Sequence, residues 1–310
     1  MYSLLNAQYL PGYVILHDTN IREAYRVLSD QSLISKERFE LEEAITLKSG
    51  SSQSSFLASV INKQLAVLAH SDYSASAVRE VLQTDVPVHR AELALSTPLL
   101  PNYTRSEKKV IGLAGIIADV KGIGVIEAIA NDPNFRSCKF MIFGFNHAPQ
   151  ETLDRLNSYE NLELSTNLTD FEFQKSISKL DIFVNYRTKY QGETSLSTLE
   201  AMRQGVVVIV RDFGWYSELP DKAVVKAATE AGVIKSLQEL LGDPDHLKDI
   251  SQAATKYVED CHSHKAYAEG VQTLIKADPG ADNLTLVANL KSLGIKTPDA
   301  YISALKKLEG

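Results

Sequence analysis

The feature that most constrains the fold is a regular alternation of short apolar runs with segments of helical spacing between residues 109 and 225. The apolar runs share a length of a few residues and lie at 109–115, 139–144, 162–165, 181–185, 206–210 and 223–225. Strands that alternate with helices of about 10 to 15 residues form right-handed βαβ units and a parallel sheet. The sequence therefore predicts an α/β fold.

The stretch from Gly192 to Gly205 is the most polar part of this pattern, and it leads directly into the apolar run 206–210. It predicts a loop, a short helix and a buried strand. Thr194 or Ser195 is placed to cap the helix, and Gly205 to end it in the left-handed conformation. Ligands bind at the carboxyl edge of parallel sheets, and a helix N-terminus attracts anions. We therefore expect an anion site here, with a phosphate-bearing ligand as the first hypothesis.

The N-terminal part of the chain carries a weaker version of the same pattern. Apolar runs at 13–17 and 65–71 predict strands, and a last short strand is predicted from Val86 through Ala94. The polar segment 32–53 is predicted to be irregular. These strands correspond to the closing half of a Rossmann-like sheet, so we expect this domain to be incomplete.

Prolines divide the chain. Pro98 and Pro101 interrupt the apolar pattern and predict a linker. We expect residues 1–102 to form a partial Rossmann-like domain, residues 103–262 a second Rossmann-like domain, and residues 263–310 a helical tail.

Composition limits the partners and the compartment. The net charge is -7, with 39 acidic against 32 basic residues, which argues against a nucleic-acid partner. The two cysteines, Cys138 and Cys261, form no disulfide framework and suit a reducing compartment. No apolar run reaches the roughly 20 residues needed to span a bilayer, and no signal peptide is evident. We expect a cytoplasmic protein, with a peripheral position at the inner face of the membrane left open.

Several motifs resemble the family 4 retaining glycosyltransferases of the GT-B fold, also called glycosyltransferases group 1. The stretch 192–205 resembles their donor-site signature, Glu-x7-Glu followed by Ala-x-x-x-Gly, and 214–220 resembles their Gly-x-x-x-Glu segment. Residues 115–122 resemble the Gly-Arg-Leu-x-x-x-Lys-Gly turn, and 141–144 the strand that follows that turn. Residues 14–18 resemble a first-domain strand that ends in His. The matches fall in order from about residue 11 to residue 220.

This resemblance implies a GT-B fold, with two Rossmann-like domains of parallel sheets, of which the N-terminal one is shortened. It implies a nucleotide-sugar substrate held by the second domain and a glycan or lipid-linked acceptor held by the first. It also implies transfer with retention, without a metal ion and without a cofactor. A protein partner stays open.

The resemblance assigns roles to individual residues. Lys121 and Arg187 would bind the diphosphate, Glu200 the ribose hydroxyls, and Glu193 the transferred sugar, which His17 would contact from across the cleft. The expected catalytic residues are His17, Lys121 and Glu193. The expected donor-binding residues are Gly115, Lys121, Arg187, Glu193, Thr194, Ser195, Leu196 and Glu200.

The sequence also departs from the family pattern. Ile116 stands where the family has an arginine, and Gly192 stands where it has the first glutamate, so the spacing here is Glu-x6-Glu. These departures keep two alternatives open: a non-catalytic transferase-like subunit that binds a partner protein or a sugar nucleotide, and a sugar-nucleotide epimerase.

Overall fold

The computed structural model describes residues 12–49, 54–62, 64–82, 85–95, 108–190 and 192–277. They form two parallel sheets with helices packed against them, which confirms the predicted α/β class. The first sheet has the order β1-β2-β3, with β1 (Tyr13–Leu16), β2 (Ala66–Ala69) and β3 (Val88–Arg90). The helices of this part are α1 (Arg22–Asp30), α2 (Lys36–Ser49), α3 (Ser54–Ile61) and α4 (Asp72–Val81).

Two predictions for this part of the chain are wrong. The segment predicted to be irregular contains α2, a 14-residue helix. Its lysines, glutamates, leucines and alanine favour a helix, but the charged residues hide the apolar spacing, and Phe39 packs against the core. The strand predicted to run through Ala94 ends at Arg90. Beyond it the chain leaves the sheet, and the Leu95 N–H donates to the carbonyl of His262 at 3.0 Å.

The second sheet has the order β6-β5-β4-β7-β8-β9. Its strands are β4 (Val110–Ile117), β5 (Lys139–Asn146), β6 (Leu162–Thr166), β7 (Ile182–Asn185), β8 (Val207–Arg211) and β9 (Val225–Ala227). Its helices are α5 (Ile123–Asn131), α6 (Gln150–Asn157), α7 (Asp170–Ile177), α8 (Leu196–Arg203), α9 (Trp215–Glu218), α10 (Glu230–Gly242) and α11 (Pro244–Cys261).

This strand order is that of the doubly wound Rossmann sheet, which binds ligands where the order reverses. Here the reversal lies between β4 and β7, which are hydrogen-bonded neighbours in the middle of the sheet. A separate apolar core covers each face of the sheet. The loops that follow β4 and β7 therefore meet at one point of the carboxyl edge.

The chain returns to the first sheet after α11. Helix α12 (His264–Ala277) packs on that sheet through Leu274, which contacts a small core that includes Ala66 and Leu68. The predicted domain boundary at 102/103 lies outside the described residues, as does the tail from 278 onward. None of the described helices is long and apolar enough to cross a membrane.

Candidate functional site

Glycines allow the strands and loops at the reversal point to approach closely. Gly115 of β4 is in register with Gly144 of β5, and both have positive φ, of 112° and 139°. A Cβ atom on Gly144 would collide with the carbonyl of Gly115. Gly122, at φ 94°, closes the short turn Asp119–Lys121 and lies against the carbonyl of Tyr186, where a Cβ atom has no room. This close approach brings the turn that carries Lys121 to the end of β7.

A compact group of charges occupies this point. The guanidinium of Arg187, two residues past β7, forms an ion pair with Glu193. The Lys121 ammonium lies 3.9 Å from the same carboxylate oxygen. The side chains of all three are at most 17% exposed. Two cations therefore share one internal carboxylate at the carboxyl edge of the sheet.

Burial changes the protonation of this group. Burial, and secondarily the nearby charge of Arg187, lower the pKa of Lys121 to about 7, while Asp18 opposes the shift. The Nε of Arg187 is buried and has no hydrogen-bond partner among the described residues. An unpaired buried donor is costly, so these two cations are poised to gain from an additional anionic ligand.

The loop before α8 is fixed by hydrogen bonds. Ser195 caps the helix by accepting from the Thr198 N–H, which confirms one of the two predicted caps. The side-chain amide of Asn185 donates to the Thr198 hydroxyl at 2.8 Å and to the Ser195 hydroxyl at 3.3 Å. The Ser195 side chain is thus engaged within the protein. The neighbouring Thr194 hydroxyl is buried and finds no partner within the described residues. Gly205 ends the helix at φ 71°, as predicted.

Glu200 has other neighbours than the charged group of Lys121, Arg187 and Glu193. It is 5% exposed, and burial raises its pKa to about 7, while a hydrogen bond with Gln174 of α7 opposes the shift. The charge of Asp170, also on α7, raises the pKa further. Glu193 and Glu200 were assigned to one donor site by sequence, and the structure gives them different neighbours, one a pair of cations and the other a polar side chain of α7.

The first domain adds two residues at the end of β1. His17 is exposed, and its ring centroid lies 4.9 Å from that of His70. Asp18, next in sequence, is accessible at the surface, yet burial raises its pKa, and the charges of His17, Arg187 and Lys121 lower it. Asp18 therefore lies within electrostatic range of the cation pair of the other domain.

Asp18 is the functional candidate that sequence reasoning missed. Its signal was its position directly after a predicted strand, where parallel sheets present polar groups to ligands. His70, by contrast, is buried, and its Nδ1 is hydrogen-bonded to the carbonyl of Ala91 at 2.9 Å. That contact fixes the orientation of the His70 ring.

Large apolar side chains are exposed along the carboxyl edge of the second sheet. Ile116 lies near the end of β4 and is 41% exposed, Phe145 lies near the end of β5, and Phe171 is in the first turn of α7. Leu196, the first residue of α8, is also exposed. Exposed apolar groups beside convergent polar groups are typical of ligand sites. The site thus combines a charged centre with an apolar margin.

The structure therefore brings together most of the predicted site residues. Gly115, Lys121, Arg187, Glu193, Thr194, Ser195 and Leu196 lie at or beside the reversal point, His17 lies at the end of β1, and Glu200 faces α7. In the described ranges, no three or more His, Cys, Asp or Glu side chains are grouped so that they could hold a metal ion.

Comparison with solved structures identifies the fold. The chain is similar to sucrose-phosphate synthase from Thermosynechococcus elongatus, with a TM-score of 0.62, 15% identity, and coverage of 86% of this chain and 67% of that one. It is similar to Anabaena HepE in complex with UDP and glucose, with a TM-score of 0.64, 13% identity, and coverage of 88% and 75%. It is also similar to WaaG, a glycosyltransferase involved in lipopolysaccharide biosynthesis, with a TM-score of 0.60, 13% identity, and coverage of 87% and 76%.

These likenesses show that the chain has the GT-B fold of glycosyltransferases, as the motifs had indicated. The chain spans about two thirds to three quarters of the length of these proteins. No protein-family model and no curated protein matches the sequence.

Proposed function

We propose that the chain is a retaining glycosyltransferase that binds a nucleoside-diphosphate sugar at the reversal point of the second sheet. It transfers the sugar, without a metal ion, to a hydroxyl group of a glycan or lipid-linked acceptor. The observation that carries the proposal is the buried pair of Lys121 and Arg187, which meets at the carboxyl edge of a GT-B fold.

The cation pair suits a diphosphate. Arg187 offers a planar fork of donors, and its buried Nε has no partner among the described residues. Lys121 adds a point charge, and the N-terminus of α8 adds free N–H groups and a favourable dipole. Ile116 stands where the glycosyltransferases that the motifs resemble have an arginine, and Arg187, two residues past the neighbouring strand β7, supplies a guanidinium instead.

The remaining parts of a nucleotide sugar fit the residues around this centre. Glu200 is assigned to the ribose hydroxyls, because a carboxylate accepts hydrogen bonds from two adjacent hydroxyls. Phe145 and Phe171 offer exposed apolar surface for a base. HepE, one of the similar structures, holds UDP and glucose, which supports a nucleotide sugar as the ligand class.

The chemistry follows from the charges. As the bond between the sugar and the diphosphate breaks, negative charge grows on the departing diphosphate, where Lys121, Arg187 and the helix N–H groups stabilise it. Positive charge grows on the sugar, where the carboxylate of Glu193 offsets it. His17 contacts the sugar or the acceptor from the first domain.

A thermal-shift screen over UDP, GDP, ADP and their glucose conjugates tests the proposal, because a ligand of the native state raises its stability. We expect one nucleotide family to shift the wild type. Glu200→Ala should abolish the shift while the protein stays folded, whereas Glu239→Ala, on the outer face of α10, should retain it. If no nucleotide shifts the wild type, the donor-site proposal fails, and an unchanged shift in Glu200→Ala removes the ribose role.

Retention of configuration and independence of a metal ion are tested separately. NMR of the anomeric proton in the product should show the configuration of the donor, and inversion would contradict retention. Activity that survives excess EDTA supports metal independence, and activity lost to EDTA and restored by a divalent cation refutes it.

A second candidate is a non-catalytic subunit that binds the sugar nucleotide without turnover. Ile116 and the ion pair that engages Glu193 with Arg187 favour it. A chain that binds the nucleotide sugar with the affinity of a substrate but releases no nucleotide over a panel of acceptors would support this candidate over an enzyme.

A further inference from the structure

Helix α4 of the first domain contacts the second domain at its N-terminus. The carboxylate of Glu218, the last residue of α9, accepts hydrogen bonds from the N–H groups of Asp72 at 3.0 Å and Tyr73 at 2.6 Å. The first N–H groups of a helix have no partner within the helix, and its dipole favours a negative charge there. An acid of one domain thus caps a helix of the other.

The same helix holds the loop that carries Glu193. Ser74 is buried, and its hydroxyl donates to the carbonyl of Gly192 at 2.7 Å. Gly192 has φ 87°, and a Cβ atom at this position would collide with the Thr19 side chain, which is also in the first domain. The peptide that joins Gly192 to Glu193 is therefore hydrogen-bonded to the first domain.

Tyr190 connects these contacts within the second domain. Its hydroxyl accepts from the Trp215 N–H at 2.9 Å and donates to the Glu193 carbonyl at 2.9 Å. Its ring lies 5.0 Å from the ring of Tyr73 on α4, in an edge-on arrangement. Burial raises the pKa of Tyr190, so its hydroxyl stays a donor at neutral pH. The Gly192 carbonyl thus accepts a hydrogen bond from Ser74, and the Glu193 carbonyl accepts one from Tyr190.

We propose that Ser74, Tyr190 and Glu218 are positioning residues, which hold Glu193 against Arg187 and Lys121 through the contact of α4 with the second domain. None of the three needs to touch the substrate. Each fixes the backbone at Gly192 and Glu193 or the helix that supports it, so that the first domain contributes to the geometry of the donor site. The inference rests on the proposed function for what Glu193 does, but not for how the loop is held.

The first test needs no ligand. Lys189 is exposed in this loop, so trypsin cleavage after Lys189, followed by mass spectrometry, reports how well the loop is held. We expect the cleavage rate to rise at least fivefold in Tyr190→Phe, Ser74→Ala and Glu218→Ala. Glu80→Ala, a control on the exposed far end of α4, should cleave like the wild type. Cleavage rates equal to the wild type in all three variants overturn the inference.

The second test uses UDP and UDP-glucose by calorimetry, or the GDP or ADP pair where that pair binds the wild type. Because Glu193 is assigned to the sugar, Tyr190→Phe should weaken UDP-glucose at least fivefold more than UDP. A purely structural role would weaken both equally, and that result overturns the inference. Tyr190→Phe keeps the ring and its packing, so it serves as the variant least prone to unfolding.

The two failures can be told apart. If the wild type binds none of these nucleotides, the proposed function fails, and the trypsin experiment alone decides whether the first domain holds the loop. If the wild type binds them while the variants match it in both measurements, the proposed function stands and the positioning role fails.

Discussion

The second sheet is covered by an apolar core on each face, and its two longest strands, β4 and β5, have eight residues each. The strands of the first sheet have three or four residues, and its main core lies between β1, β2 and the helices α1 to α4. Strands buried on both faces hold the loops at their ends firmly. The cation pair belongs to the larger sheet, and the smaller sheet adds His17, Asp18 and the N-terminus of α4. The contrast teaches that the larger core holds the cation pair, while the smaller core contributes groups that approach it from the other domain.

The largest change in the free energy of unfolding is expected for a substitution in the larger sheet. Gly144→Ala should destabilise the protein by about 3 to 5 kcal/mol, because the new Cβ collides with the Gly115 carbonyl and the backbone has a strained φ. Chemical denaturation monitored by circular dichroism measures it. Gly124→Ala, in exposed space on α5, should instead stabilise by up to about 1 kcal/mol. Equal stability of wild type and Gly144→Ala would contradict the close approach of β4 and β5.

A substitution in the core of the smaller domain tests whether the two domains unfold independently. Leu57 of α3 is fully buried, and Leu57→Ala should cost about 2 to 5 kcal/mol. Trp215, the single tryptophan, lies in the second domain, so its fluorescence reports that domain while circular dichroism reports both. We expect the dichroism transition to move further than the fluorescence transition. Identical shifts would show that the two cores unfold as one cooperative unit.

The burial of Glu200 makes the stability of the protein depend on pH. The pKa of Glu200 is raised by burial from 4.5 to about 7, so its ionisation disfavours the folded state. This cost is absent below pH 4.5, grows between pH 4.5 and pH 7, and persists above. Glu200→Gln should therefore stabilise the ligand-free protein by about 2 to 3 kcal/mol at pH 8 and hardly at pH 4. Thermal unfolding at both pH values measures it, and a pH-independent difference would contradict the raised pKa.

The smallest expected effect is a dependence of ligand affinity on pH, caused by Lys121 of the cation pair. With a pKa of about 7 in the free protein, Lys121 is protonated at pH 6 and mostly neutral at pH 8. A bound diphosphate favours the charged form, so affinity should fall about tenfold from pH 6 to pH 8. UDP-glucose is the suitable probe, because its diphosphate does not titrate in this range. Lys121→Arg, whose charge is permanent, should flatten the profile. A flat wild-type profile would place Lys121 away from the diphosphate.

The sequence predicted the parts that depend on local pattern. Buried strands read as apolar runs, and the Ser195 cap and the Gly205 end follow from residue type. The helix α2 was missed because its charged residues hide its apolar spacing. The capping of α4 by Glu218 joins residues that are distant in the chain, and the pairing of Arg187 with Glu193 depends on how two side chains near each other in the chain turn toward one another. No periodicity encodes such contacts, and the capping of α4 arises only from the packing of the two domains.

The chain passes between the domains twice in the described residues, and the two passages are joined to each other. The Leu95 N–H donates to the His262 carbonyl at 3.0 Å, and the His262 ring Nδ1 is hydrogen-bonded to the Leu93 carbonyl at 2.8 Å. Because both hydrogen bonds join the two connecting segments at one place, we expect any movement of one domain relative to the other to turn about residues 93–95 and 262.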